Sequence, residues 1–249
     1  MKLFLNEVDE NFLKFTDKWA EELESSRNKL SKNKNKYRDS YRRLVSLQAW
    51  RSELLEASLS KGSLGFFLEA QNDALVSHVF AHFGAWRPAL QSLRSCIENS
   101  LYCLYYMDHP VELELWRSGR HRLSFSKVYD YLLKHPLIDP VSKNVTGLDL
   151  LKKEYETLSK AVHASAESFR MTSEDEGTNL WISADNKLNQ WQTRERNVIT
   201  GINLILLTMF KKSLQGTALQ GLRKAIGLSL SESRAKSVKT HLKINIPRK

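Results

Sequence analysis

Apolar residues recur at intervals of three and four along most of the chain, which is the spacing that one face of an α-helix presents. The first such stripe falls within about 8 to 30 and consists of Phe12, Phe15, Trp19 and Leu23. Glycine and proline, ten and five in number, lie almost entirely at the ends of such stripes, and valine and isoleucine do not alternate with polar residues as they would in strands. The pattern predicts an all-α protein that folds as an up-and-down helical bundle.

The second predicted helix covers about 35 to 60, with leucines on its inner face and arginines on its outer face. The sequence KGS at 61 to 63 is predicted to break the chain after this helix. Residues 1 to 59 are accordingly assigned to a basic N-terminal helical extension.

The most apolar third of the chain predicts two helices joined in a tight hairpin. Gly84 ends the first helix in the manner of a C′ glycine, and Pro88 suits the first turn of the second. The second helix, about 87 to 107, is apolar on nearly every side except for one short polar patch. It is therefore predicted to be the central helix of the bundle.

Three further helices are predicted at about 111 to 118, 124 to 134 and 147 to 164. Residues 165 to 186 lack a helical period and contain the acidic cluster Glu174-Asp175-Glu176, so they are predicted to form a long loop.

A strong helix resumes at Leu188, and one or two short basic helices follow it, with Ser229 or Ser231 as a cap. The bundle is assigned to 60 to 212 and the basic C-terminal tail to 213 to 249.

The net charge of +10 is concentrated in two segments. Residues 27 to 51 carry +8 and residues 211 to 249 carry +9, which leaves the rest of the chain at −7. Such a distribution favours binding to a polyanion, nucleic acid first, because neutralising phosphates releases counterions and provides affinity that does not depend on sequence. The alternative is that these cations form solvated helix faces that keep the protein soluble.

The predicted nucleic-acid contacts are basic side chains of the extension, of the turn RSGRHR at 117 to 122 and of the tail. They are Lys32, Lys34, Lys36, Arg38, Arg42, Arg43, Arg117, Arg120, Arg122, Arg223 and Lys224.

Two histidines in HVFAH, His78 and His82, lie four residues apart on one helical face, which is half of a zinc site. The glutamate of the HExxH pattern is absent and no third ligand is evident nearby, so a structural role on a bundle helix is the better interpretation. Cys96 and Cys103 are two helical turns apart and are predicted to stay unbridged. We expect neither a metal nor a cofactor.

Arg94 and Glu98 are spaced i, i+4 on the predicted central helix, with Asn99 beside them. Because an unpaired buried charge is costly, one interpretation is an ion pair that also holds a neighbouring helix or the loop. The other interpretation is an arginine aimed at phosphate and held in position by the glutamate. The sequence leaves both open.

The chain resembles the HEPN superfamily of helical-bundle proteins, particularly its bacterial branches linked to abortive infection and other phage defence. The resemblance is carried by FAHFGAWRPALQSLRSCIENSLYCLYYMDHP, VELELWRSGRHRLSFSKVYDYLLKHP and YETLSKAVHAS, within roughly 60 to 210. It implies a helical bundle, commonly a homodimer, and many members are metal-independent ribonucleases. Other members bind RNA or serve as scaffolds without cutting it.

The ribonuclease signature of that superfamily is an arginine, a polar residue directly after it and a histidine four to six residues beyond the arginine. On LSKAVHAS the resemblance assigns the histidine to His163 and the polar residue to Ser159, but Leu158 stands at the arginine position. In the ribonuclease, histidine would move the proton of the 2′-hydroxyl and arginine would stabilise the charge on the phosphate.

Leu158 can neither move a proton nor stabilise the charge on the phosphate. Lys160 or Arg94 would therefore have to supply the cation, with Ser159 and Asn99 as orienting groups. The resemblance and the two basic segments lead us to expect an RNA-binding protein of phage defence or of a toxin-antitoxin type, with ribonuclease activity left open by Leu158. The alternative is a non-catalytic scaffold or protein-interaction module of a defence system.

No stretch approaches 18 uninterrupted apolar residues, and acids interrupt the first apolar residues where a signal peptide would need its apolar run. We therefore expect a cytoplasmic protein without a membrane contact. The expected partners are RNA, a second copy of the chain and a protein encoded nearby.

Overall fold

The computed structural model of the protein describes residues 1–163, 165, 167–173 and 177–248. Its helices are α1 (Lys2–Leu30), α2 (Lys34–Trp50), α3 (Glu56–Ser58), α4 (Lys61–His82), α5 (Trp86–Asp108), α6 (Pro110–Arg117), α7 (Phe125–Leu133), α8 (Lys143–Thr146), α9 (Leu148–Val162), α10 (Asp185–Met209), α11 (Gln220–Gly227) and α12 (Glu232–Leu242). Short 3-10 turns cover Ser31–Asn33 and Glu167–Phe169, a π-helical turn covers Arg51–Leu55, and the two-residue strands β1 (Thr172–Ser173) and β2 (Gly177–Thr178) pair antiparallel. The all-α prediction is confirmed. The acidic cluster at 174–176, in the predicted loop, lies outside the described residues.

The helix α5 lies at the centre of the bundle, as its apolar sequence predicts. It packs against α4, α7, α9 and α10, and its side chains Leu93, Ile97 and Leu104 are fully buried. Cys96 and Cys103 on the same helix are buried and free, in agreement with the predicted absence of a disulfide.

The hairpin between α4 and α5 depends on Gly84. Its φ of +74° is in the left-handed region, and a Cβ there would lie 2.7 Å from the Ile182 carbonyl oxygen. The Ile182 amide donates to the Gly84 carbonyl at 3.1 Å, and the Trp86 indole donates to the Ile182 carbonyl at 2.7 Å. The predicted C′ glycine is confirmed, and it also brings the segment before α10 against the hairpin.

The predicted break at KGS is wrong, because these residues form the first turn of α4. The chain leaves the helical conformation at Leu59 instead, and the Ser60 hydroxyl caps α4 by accepting from the Ser63 amide at 3.3 Å. Gly62 has a packing role rather than a breaking one, since a Cβ there would lie 2.5 Å from Leu113 of α6.

The prediction that the arginines of α2 all face outward is wrong for Arg43. This residue lies one turn from Leu47 on the inner stripe of the helix, and its Nε donates to Glu195 Oε2 of α10 at 2.8 Å. Both side chains are buried, at 7% and 0% exposed. The sequence marks Arg43 only as one more member of a basic run, because its acidic partner is 152 residues away.

The tail packs onto the bundle rather than extending from it. The helix α11 lies against α2, and Ile244 and Ile246 beyond α12 are buried. Arg223 of α11 is buried as well, and its guanidinium donates to the Leu214 and Asn245 carbonyls. Ser231 caps α12 by accepting from the Arg234 amide, which confirms one of the two predicted caps.

A single cluster of buried apolar side chains runs from Leu30 to Ile246 and includes members of α2, α11 and α12. The division of the chain at 59/60 and 212/213 stays a prediction, and the core crosses both boundaries.

The first half of α1 projects from this core. All of the first fifteen residues are exposed, whereas Ser26 and Leu30 near the end of the helix are buried. The Ser26 hydroxyl donates to the Phe83 carbonyl at 3.0 Å and so fixes the C-terminal end of α1 to the hairpin. Within the described part of the chain, no helix combines the length and the apolar character that crossing a membrane requires.

Candidate functional site

Arg94 of α5 makes three hydrogen bonds, one within its own helix and two to α9. Its Nη1 donates to Glu98 Oε2 at 3.1 Å, its Nη2 donates to the Tyr155 hydroxyl at 2.5 Å, and its Nε donates to the Ser159 hydroxyl at 3.1 Å. The guanidinium carbon also lies 4.6 Å from the centroid of the Tyr155 ring. We call these four residues the Arg94 cluster.

The cluster holds its charges in a partly desolvated setting. Burial raises the pKa of Glu98, and the Arg94 guanidinium opposes that rise. The Tyr155 hydroxyl donates to Glu98 Oε1 at 3.1 Å, and the Tyr155 ring stacks on Phe125 at 3.6 Å between centroids. The side chain of Arg94 keeps 24% of its surface exposed. This is an ion pair within one helix that also holds a neighbouring helix, and its cation still reaches solvent.

His163 follows the last residue of α9 and is exposed. Its amide donates to the Ser159 carbonyl at 3.1 Å, so it lies one helical turn beyond the residue that contacts Arg94. His163 is therefore not a core side chain.

Leu158 explains part of the departure from the HEPN signature. Its side chain is 0% exposed and belongs to the hydrophobic core, so an arginine at this position of α9 would face the interior of the bundle. Any cation beside His163 must therefore come from another position. Lys160 is exposed on α9, and Arg94 approaches from α5.

Arg87 is a cation near this site that the sequence reasoning missed. It lies two helical turns before Arg94 on α5, and its Nη2 donates to the Val162 carbonyl at 2.8 Å, next to His163. Its Nε is buried and lacks a hydrogen-bond partner among the described residues. The available signal was the spacing of seven between two arginines on the central helix, which sets both on the side that faces α9.

Asn99 does not join the Arg94 cluster. Its Nδ2 donates to Asp73 Oδ2 of α4 at 2.8 Å, on another side of α5. Of the five predicted catalytic residues, the structure therefore brings Arg94 and Ser159 into contact, sets His163 one turn away, leaves Lys160 exposed on the same helix and directs Asn99 to a different helix.

The two basic segments of the sequence meet in space, because α2 packs against α11. The exposed cations of these helices and of the residues just before α2 are Lys32, Lys34, Arg38, Arg42 and Lys224, and Lys36 is half-buried. Arg43 and Arg223 are removed from the predicted contacts, because both are buried and their guanidinium groups bond inside the protein.

The turn between α6 and α7 is a second basic surface. Arg117, Arg120 and Arg122 are all exposed. Arg117 pairs with Glu114, and the Arg120 Nε donates to the Ser118 hydroxyl at 3.0 Å. The turn is therefore a solvated basic surface, and short-range contacts hold Arg117 and Arg120.

His78 and His82 belong to a polar network in the bundle. Their Nε2 atoms are 3.2 Å apart, His78 Nδ1 lies 2.9 Å from the Ser40 hydroxyl, and the Tyr37 ring stacks on His82 at 3.8 Å between centroids. Burial lowers the pKa of His78 to about 4, so its ring is neutral near pH 7. Among the described residues no three His, Cys, Asp or Glu side chains are grouped so that they could hold a metal ion.

No protein-family model, curated protein or solved structure matches the chain. The HEPN resemblance is therefore neither supported nor contradicted by relatives, and it stays a prediction.

Proposed function

We propose that the protein binds RNA through the exposed cations of α2 and α11. The main support is that two segments of +8 and +9, far apart in sequence, pack against each other through these helices. Lys34, Arg38 and Arg42 are exposed on α2, and Lys224 is exposed on α11. Such a surface gains affinity from each phosphate that it neutralises, because counterions are released.

A salt titration tests this proposal. The Lys34→Gln, Arg38→Gln, Arg42→Gln triple variant should bind a single-stranded RNA more weakly, and the slope of log affinity against log salt should fall by about 2, since three phosphate contacts are lost. The matched control is Lys127→Gln, Lys134→Gln, Lys153→Gln, which removes the same charge from exposed positions of α7, α9 and the residue after α7.

Equal losses in the two triple variants would show a response to net charge alone and would remove α2 from the interface. No binding by the unmodified protein at low salt would overturn the RNA proposal and favour the scaffold or protein-interaction function instead.

Metal-independent cleavage of RNA is a second candidate function. It is favoured by the contact between Arg94 and Ser159 one turn from the exposed His163, and by Arg87 on the Val162 carbonyl. In this function His163 moves the proton of the 2′-hydroxyl, and an arginine of α5 neutralises the phosphate. The HEPN resemblance adds a homodimer and a role in phage defence to this candidate.

Cleavage of a labelled RNA in excess EDTA tests the second function. His163→Ala should abolish cleavage and leave RNA binding unchanged, because His163 lies outside the α2 and α11 surface. Cleavage at the same rate in His163→Ala would exclude this histidine from the chemistry. Absence of cleavage by the unmodified protein would overturn the second function and leave RNA binding as the remaining proposal.

A further inference from the structure

The helix α1 exposes an apolar stripe that its own chain does not cover. Leu5, Val8, Phe12 and Phe15 are all exposed, and Phe12 and Phe15 keep 63% and 56% of their surface. Trp19 continues the stripe and is half-buried. We call these five residues the α1 seam.

The seam repeats every seven residues. Its members are separated by three, four, three and four positions, which are the a and d spacings of a coiled coil. A stripe with a repeat of seven drifts by only about 20° per heptad around a straight helix, so slight supercoiling keeps it facing one partner helix over its length. The spacing therefore indicates a helix as the partner, rather than a flat surface.

The charges of α1 disfavour RNA and anionic lipid as partners of the seam. Residues 1 to 26 contain seven acids and three lysines, a balance of −4 in a chain whose net charge is +10. Five of the acids lie on the face opposite the seam: Glu7, Glu10, Asp17, Glu21 and Glu24. An acidic helix repels RNA and anionic lipid, so its apolar stripe fits a protein.

We propose that α1 pairs through its seam with α1 of a second copy of this chain. An identical helix offers the same spacing of knobs and holes. The positions flanking the seam, where two paired helices would bring side chains opposite each other, include two charged residues, Asp9 and Lys18, of opposite sign. Glu22 takes the next position of the same spacing, so an antiparallel pair, which places the two Glu22 side chains at opposite ends, avoids like charges across the seam.

The apolar surface of the seam is large enough for a specific dimer of moderate affinity. The exposed parts of the seam, with Phe4 at its edge, would bury on the order of 500 Å² per copy or about 1,000 Å² per pair, which reaches the lower limit of specific interfaces. The pairing should accordingly depend on protein concentration. It does not rest on RNA binding, because the acidic α1 is separate from the cations of α2 and α11.

Light scattering after size-exclusion chromatography tests the pairing. The full chain should approach twice its 28.8 kDa mass at high concentration, and the Phe12→Glu, Phe15→Glu variant should stay at the mass of one chain. The matched control is Leu13→Glu, because Leu13 is 62% exposed beside Phe12 but lies off the seam. All three positions are exposed in the single chain, so circular dichroism should show the same helix content in every variant.

A disulfide test identifies the surface itself. In a Phe12→Cys variant the added thiol should form a bridge between two chains on mild oxidation, since the native Cys96 and Cys103 are buried. The proposal is overturned by a monomeric full chain over about 1 to 100 µM, by a dimer that persists in Phe12→Glu, Phe15→Glu, or by a loss of pairing that Leu13→Glu shows equally.

Discussion

At the scale of single residues, the buried pair of Arg43 and Glu195 is the polar contact on which the bundle should depend most. Burial raises the pKa of Glu195 to about 7, and the Arg43 guanidinium opposes that rise. Glu195 Oε2 accepts both bonds from Arg43, whereas Oε1 is buried without a hydrogen-bond partner among the described residues. After Arg43, smaller contributions come from the Ser40 side chain and the charge of Arg196, so Arg43 is the main group that offsets the burial of this carboxyl group.

Removing that arginine should destabilise the fold. We predict that Arg43→Met lowers the free energy of unfolding by about 3 kcal/mol, because it leaves a buried carboxyl group without its cation. Urea denaturation measures the loss, and the exposed neighbour Arg42→Met should change stability by less than about 0.5 kcal/mol. Similar effects of the two substitutions would contradict the buried pair.

His78 should make stability depend on pH in the acid range. Its pKa is lowered to about 4 in the folded protein, first by burial and then by the charges of His82 and Arg43. The unfolded chain takes up the proton near pH 6.5, so stability is lost as the pH falls from there toward about 4. His78→Gln should remove about 1 to 2 kcal/mol of that loss after allowing for partial exposure.

The measurement is urea denaturation at pH 7 and at pH 4.5, compared between the two proteins. Carboxyl groups also titrate in this range, so the difference between His78→Gln and the unmodified protein is the informative quantity. The exposed His241→Gln serves as the control. An unchanged pH dependence in His78→Gln would show that the pKa of this ring is the same in the folded protein as in the unfolded chain.

Residue-scale predictions succeeded where the reason is local. The helix-ending conformation of Gly84 and the cap formed by Ser231 are local features, and the sequence identified both. Arg43, Arg223 and Arg87 were misread or missed because their partners, Glu195, the Leu214 carbonyl and the Val162 carbonyl, are fixed by tertiary packing. A charge run predicts net charge well, but it does not predict which of its members turns inward.

At the scale of elements, the hairpin of α4 and α5 should be sensitive to any side chain at Gly84. We predict that Gly84→Ala costs about 2 to 3 kcal/mol, since a positive φ and a Cβ 2.7 Å from the Ile182 oxygen add to each other. Gly119 is the matched control, because its φ is +72° but nothing lies within 4 Å of an added Cβ. Gly119→Ala should therefore cost about 1 kcal/mol.

Thermal and urea unfolding compare these two variants directly. Equal losses would show that the conformation alone, and not the contact with the segment before α10, makes Gly84 necessary.

Two glycine positions also show why helix boundaries were partly predictable. A glycine directly after an apolar stripe, such as Gly84, correctly predicted a helix end. The glycine of KGS at 61 to 63 did not, because Ser60 caps α4 and these residues form its first turn.

At the scale of the whole molecule, the helical class and the central position of α5 followed from the apolar pattern, and the burial of the tail did not. The helices α11 and α12 are short and basic, which is also typical of a solvated tail, yet Leu222, Ile226 and Val238 are fully buried. What joins the two basic segments is this burial against α2 and α10. Charge arithmetic along the sequence cannot reveal that proximity.

The proposed RNA surface and the proposed pairing of α1 together predict a dependence on RNA length. Two copies joined through α1 carry two basic surfaces, so an RNA that spans both should bind more tightly than one that reaches a single surface, by an effective-concentration effect. Phe12→Glu, Phe15→Glu should lose this gain for long RNA and should keep the affinity of the unmodified protein for short RNA.

Filter binding with single-stranded RNAs of increasing length measures the effect, at a protein concentration where the full chain is paired. Leu13→Glu should behave as the unmodified protein does at every length. A loss for short and long RNA alike would mean that the seam contacts RNA itself, which its acidic outer face argues against. Identical length dependence in all three proteins would mean that each copy binds RNA independently of the pairing.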